Sequence, residues 1–198
     1  MIHRFSPSGL TLAVLVCLLL GSGTAQAALS LHSAPLPSFS PAARRSIDTV
    51  LVHFISAINL APADWDSPTR ILALLRDHKL SAHYLIDRAG GVYRLVEERH
   101  IAWHAGGSIM PAPDNRRNVN RFSIGIELIA TSASGFTAAQ YQSLALLIDD
   151  IAERHPIRHI LGHRDVAGTR AVRLGLRAAA KVDPGPLFDW ARLQAARE

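Results

Sequence analysis

Thr49-Val50-Leu51-Val52-His53-Phe54-Ile55-Ser56 is a β-branched, apolar run of strand length broken by a single histidine. Runs of this kind belong to strands buried in the middle of a sheet, covered on both faces. Ser123-Ile124-Gly125-Ile126-Glu127-Leu128-Ile129 repeats the pattern with one ionisable interruption, and His159-Ile160-Leu161-Gly162-His163 is a shorter version that ends on another. Between these runs the period changes. Ser67-Pro68-Thr69 opens a short helix through Ile71, Leu72, Leu74 and Leu75 as far as His78. Residues 82–87 and 92–96 flank Arg88-Ala89-Gly90-Gly91, the signature of a hairpin. Thr137 and Gln140 have capping-box spacing at the head of a long helix whose stripe is Leu144, Leu147, Ile148 and Ile151, and Pro156 closes it. Residues 186–196 read as a terminal helix. The order is strand, helix, hairpin, strand, helix, strand, helix, which predicts a single α/β domain with a central mixed β-sheet flanked by helices.

The chain has 198 residues, is 48% hydrophobic and carries a formal net charge of +5, which excludes an intrinsically disordered or collagen-like protein. Its basic excess is almost all arginine, Lys79 and Lys181 being the only lysines, and no basic arm with interleaved aromatics is present. Nucleic acid is therefore not an expected partner. At the N-terminus Arg4, the apolar residues 10–20 and Ala25-Gln26-Ala27 have the layout of an export signal, 1–27. The apolar part is short of the ~20 residues that a membrane span needs, so stable membrane insertion is not expected after cleavage. The expected location is periplasmic or secreted. Cys17, the sole cysteine, would be lost with the signal, leaving a domain without disulfides. Residues 28–45 are Ser/Pro-rich and read as a linker, and 46–198 as the domain.

His53, Glu127 and His163 interrupt strands expected to be buried, where an unpaired ionisable group is costly. Zinc ligation explains them together, because a catalytic zinc takes three protein ligands from imidazole nitrogens and carboxylate oxygens and keeps one position open. His53 and His163 can supply two. Asp165 and Asp183 are both candidates for the third, and spacing does not choose between them.

Six segments carry a family resemblance: Val52-His53, Ser81-Ala82-His83-Tyr84-Leu85-Ile86-Asp87, Trp103-His104-Ala105-Gly106, Asn120 with Ser123-Ile124-Gly125-Ile126-Glu127-Leu128, Gly162-His163-Arg164-Asp165, and Asp183-Pro184-Gly185-Pro186. In this order the chain resembles the zinc-dependent type 2 N-acetylmuramoyl-L-alanine amidases, relatives of peptidoglycan recognition proteins. The resemblance implies one zinc per chain held by His53, His163 and Asp183, with Glu127 as general base and Lys181 at the oxyanion. It further implies that His83, Trp103 and His104 lie near the substrate, a muropeptide or peptidoglycan cut between N-acetylmuramic acid and L-alanine. The alternative in the same family is a catalytically silent wall-binding module. Such relatives typically lose a zinc ligand, whereas every ligand position is filled here. One departure stands out. The segment 164–182 is longer than the family's tight loop, so much of 168–180 reads as an insertion that either adds a short helix over the cleft or displaces Lys181 and Asp183.

Overall fold

The structure is a computed structural model that describes residues 29–198. The expected export signal lies outside the described residues, and among them no helix is long and apolar enough to cross a membrane. Strand β3 (Thr49–Ile55) is an interior strand of a mixed sheet, parallel to β7 (Ser123–Ile129) on one side and to the edge strand β8 (His159–Gly162) on the other. Beyond β7 come β4 (Tyr84–Ile86), its antiparallel hairpin partner β5 (Val92–Arg94), and β1 (Leu31–Ser33) at the edge. The sheet order is thus β1-β5-β4-β7-β3-β8.

The two faces of this sheet are filled differently. Val50 and Val52 of β3 and Ile124, Ile126 and Leu128 of β7 point to one face, where helix α2 (Ala138–Arg154) lays Leu144, Leu147, Ile148 and Ile151 over them. The capping box forms as expected, with Thr137 Oγ1 accepting from the Gln140 N–H and Gln140 Oε1 accepting from the Thr137 N–H. The other face carries two separate apolar patches. One packs Leu85 and Ile129 under Ile71 and Leu75 of helix α1 (Pro68–Asp77). The other packs Leu51 under Met110, Val119 and Val166, the last in the short helix α3 (His163–Ala167). Between these patches the sheet face is left open, and His53 and Glu127 project there as in-register neighbours on β3 and β7.

Two expectations are corrected. The Ser/Pro-rich segment is folded onto the domain: β1 pairs with β5, β2 (Phe39–Ser40) pairs antiparallel with β6 (Ile101–Ala102), and Leu36 is buried. These pairings are made by backbone groups of strands only two or three residues long, with side chains exposed in β1 and half-buried in β2, so no periodicity announces them. The terminal helix α5 is shorter than expected, Trp190–Ala195. Phe188 is held in the core against Phe136 and Tyr141, and Asp189 Oδ1 caps the helix by accepting from the Arg192 N–H.

Candidate active site

His53 stands near the C-terminal end of β3, and His163 is the first residue after β8. Both therefore lie at the carboxyl ends of parallel strands, where open α/β sheets bind their ligands. Asp183 reaches them from a distant loop. Its carbonyl accepts from the Arg164 N–H at 2.9 Å, and Pro184 Cδ would lie only 2.6 Å from a Cβ on Gly162. Glycine at 162 is what lets the aspartate loop close onto the strand end.

The result is a cluster in which His53 Nδ1 lies 3.2 Å and His163 Nδ1 3.1 Å from the same Asp183 oxygen, Oδ2. All three donor groups fall within 4.8 Å of one another. The polarity of the surrounding hydrogen bonds tests whether a cation fits here. His163 Nε2 faces the Ala105 carbonyl at 3.1 Å, which only accepts, so the ring proton sits on Nε2 and the Nδ1 lone pair faces Asp183. On the other side Ser123 Oγ donates to the Val119 carbonyl at 2.8 Å, which leaves it to accept from His104 Nε2. His104 Nδ1 then accepts from His53 Nε2 at 3.0 Å, and His53 Nδ1 also presents a lone pair to Asp183. Burial, together with the neighbouring His163, holds the His53 imidazole down at about 4, so at neutral pH it does not take a second proton. Two lone pairs converging on one carboxylate call for a cation. Ligands about 2.0–2.2 Å from a tetrahedral zinc stand roughly 3.3–3.6 Å apart, a small expansion of the spacings seen.

Glu127 lines the same cleft, and its Oε2 is buried with no hydrogen-bond partner. Burial, reinforced by the charge of Asp183 and partly opposed by Lys181, pushes its carboxyl up to about 8. Lys181 also lines the cleft, its N–H anchored to the Ala167 carbonyl at 2.9 Å. The long segment before it therefore does not displace either residue. It folds partly as an extra short helix, α4 (Thr169–Arg173), between clamped ends.

Trp103 forms an exposed wall of the cleft, its indole N–H donating to Ser40 Oγ at 2.9 Å. His104 lies deeper, over Gly125, where a Cβ would overlap the imidazole. His83 is corrected as a substrate contact. It is wholly buried, with Nδ1 accepting from the Gly125 N–H and Nε2 against the His100 carbonyl, and it does not line the cleft. Sequence reading passes over Arg45, whose guanidinium donates to the carbonyls of Glu98, Asn120 and Ser123 and pins the loops around the cleft to β7. It also passes over Arg177, which lines the cleft from the inserted segment, and gives no role to Asn120, whose Oδ1 accepts from the N–H groups of His104 and Ala105. Nothing in their local sequence sets these two arginines apart from surface ones.

A cavity of about 360 Å³ with a His/His/aspartate donor set on its floor and an unpartnered carboxyl beside it is an arrangement that can hold a metal ion and activate a water next to it, built on an α/β scaffold. The family model described as N-acetylmuramoyl-L-alanine amidase matches residues 43–186, and the chain belongs to that family. Over 119 residues it is 40% identical to the 1,6-anhydro-N-acetylmuramyl-L-alanine amidase AmpD of Citrobacter freundii, covering 59% of this chain and 57% of that one. Over 170 residues it is 34% identical to the N-acetylmuramoyl-L-alanine amidase AmiD of Escherichia coli, covering 77% and 54%. The chain thus spans a little over half the length of the curated relatives it matches. Among solved structures, a selenomethionine derivative of AmpD superposes with a TM-score of 0.65 at 32% identity, covering 85% of this chain and 95% of that one. E. coli AmiD in complex with the substrate anhydro-N-acetylmuramic acid-L-Ala-D-γ-Glu-L-Lys superposes with a TM-score of 0.58 at 28% identity, covering 78% and 59%.

Proposed function

We propose that the chain is an exported zinc amidase that hydrolyses the amide between the lactyl group of N-acetylmuramic acid and the L-alanine of the stem peptide. The observation that carries this reading is the convergence of two imidazole lone pairs and a carboxylate beside the unpartnered Glu127. His53, His163 and Asp183 would hold one zinc per chain. When bound, such an ion supplies Lewis-acid activation of water and of the scissile carbonyl. Glu127 Oε2 takes the proton of the attacking water and passes it to the departing alanine nitrogen, a role open to a carboxyl that lines the cleft beside the donor set with no other hydrogen-bond partner. Lys181, which lines the cleft, would supply the positive charge that stabilises the oxygen made negative in the tetrahedral intermediate. Trp103 offers its ring to the sugar. The chemistry of the AmiD ligand suits the cleft, and an N-terminal export signal over 1–27 would place the enzyme in the periplasm or outside the cell, against wall or its soluble fragments.

Elemental analysis combined with mass spectrometry of muropeptide digests tests the reading. The expected result is one zinc per chain and release of free stem peptides, reduced at least about 100-fold by Glu127→Ala. Zinc without release from any muropeptide would instead identify a wall-recognition module, and absence of zinc would refute the ligand set.

A further inference from the structure

Arg177 has no place in the chemistry just described, yet it forms part of the cleft wall. Its position is built. Gly175, at φ +68°, turns the chain after α4, and the Leu176 carbonyl then seats against Gly107 so closely that a Cβ there would overlap it. This contact delivers Arg177 to the cleft, where Nη1 lies 3.4 Å from the Ala105 carbonyl and Nε donates to the Ala179 carbonyl at 2.7 Å. Ala105 O is the same atom that fixes His163, so the guanidinium stands two hydrogen-bond lengths from a candidate metal ligand. Both recorded bonds of Arg177 go to backbone carbonyls, and no carboxylate among the described residues pairs with it. Its Nη2 edge remains free to bind an anion.

The cleft is divided by chemistry. Leu80 and Trp103, 48% and 39% exposed, give its lining an apolar and aromatic part, whereas Arg177 and Lys181 give it a cationic part. A muropeptide is divided in the same way, with a sugar on one side of the scissile amide and an acidic peptide on the other. A γ-linked D-glutamate keeps its α-carboxylate, which in an extended stem lies roughly 7 Å from the scissile carbon, counting one Cα–Cα step of 3.8 Å and the bonds at either end. The guanidinium and the His163 imidazole reach toward each other through the single Ala105 carbonyl that both contact.

Resting on the amidase reading, we propose that Arg177 is a specificity residue that binds the free α-carboxylate of the γ-linked D-glutamate, the second residue of the stem. Arg177 distinguishes that carboxylate from the carboxamide of an amidated stem, because a guanidinium fork pairs with two anionic oxygens but finds a donor in place of one of them on an amide. The inserted segment thereby makes the enzyme selective for non-amidated peptides.

The experiment compares full-length zinc-loaded protein on N-acetylmuramoyl-L-Ala-D-γ-Glu and on its D-isoglutamine counterpart, with kcat/KM for each. It also measures binding of both compounds to Glu127→Gln by titration calorimetry. Wild type is expected to prefer the carboxylate about 10- to 100-fold. Arg177→Ala is expected to erase most of that preference by losing the carboxylate substrate selectively, and Arg177→Lys to keep part of it. Equal loss on both substrates, or a wild type indifferent to amidation, overturns the assignment. The binding arm separates the two readings: a carboxylate preference that Arg177→Ala removes, in a protein that cuts neither compound, upholds the subsite and refutes the amidase.

Discussion

His53 and Glu127 sit side by side on neighbouring strands, and each is governed by what its far atoms touch. For His53 this is a chain of single-direction hydrogen bonds that starts at the Val119 carbonyl and runs through Ser123 and His104. Ser123 is therefore a positioning residue. Replacing it with alanine frees His104 to adopt the other tautomer, and zinc affinity, read by competition with a chromophoric chelator, is expected to fall about tenfold while the fold persists. For Glu127 the far atom has no partner, and the sign of its pH effect follows. A carboxyl whose proton affinity is raised to about 8 on folding contributes stability that is complete below its unfolded value and is lost as pH rises through 8. In metal-free protein, Glu127→Gln is expected to melt higher than wild type at pH 8.5, with the difference shrinking toward pH 5. An ionisable residue inside an apolar run is legible in sequence, which is why His53, Glu127 and His163 stand out. Asp183 lies in no such run, and only its resemblance to a family segment selects it over Asp165. His83 shows the converse: a histidine can interrupt a strand start simply to satisfy backbone groups.

The elements are joined by polar clamps as well as by packing. Glu98 receives hydrogen bonds from Tyr84 on β4 at 2.7 Å, from Arg154 at the end of α2 at 2.9 Å, and from His155 at 2.7 Å. Burial alone would raise its carboxyl, but these donors outweigh that effect and hold it near 2. A carboxylate lowered in this way stabilises the fold above its unfolded value of about 4.5 and stops doing so as pH falls toward 2. Glu98→Gln is expected to cost about 2 kcal/mol at pH 7 by chemical denaturation and to flatten the acid limb between pH 5 and 2. On the cleft side, Gly107→Ala is expected to push Leu176 and its neighbour Arg177 outward, lowering affinity for the acidic stem without changing zinc content. Helices α1 and α2 and the β4–β5 hairpin are readable because each has a period and a start signal. The edge strands β1 and β2 have neither, since backbone pairing to a sheet edge leaves no mark on side chains that face solvent.

At the scale of the molecule, the sheet has one face sealed by α2 and α5 and another split into two apolar patches, and the cleft is the gap between them. Its floor joins chain segments 130 residues apart, so a metal held there would couple directly to the folded state. Removing the metal with a chelator is expected to lower Tm by about 5–10 °C and readdition to restore it, whereas Asp183→Ala is expected to show no such response. Scanning calorimetry with and without zinc checks both.

The clamps at the two ends of the inserted segment, Arg164 N–H to the Asp183 carbonyl and Lys181 N–H to the Ala167 carbonyl, have a consequence for how this protein can change. A stretch of chain whose ends are tied together can be lengthened at a cost of only about 0.6 kcal/mol per doubling. His53 and Glu127 belong to strands that tolerate little alteration, while the piece between the two ties is interchangeable. Substrate preference can thus be rewritten by grafting a new segment between the same two ties, leaving the chemistry beneath it intact.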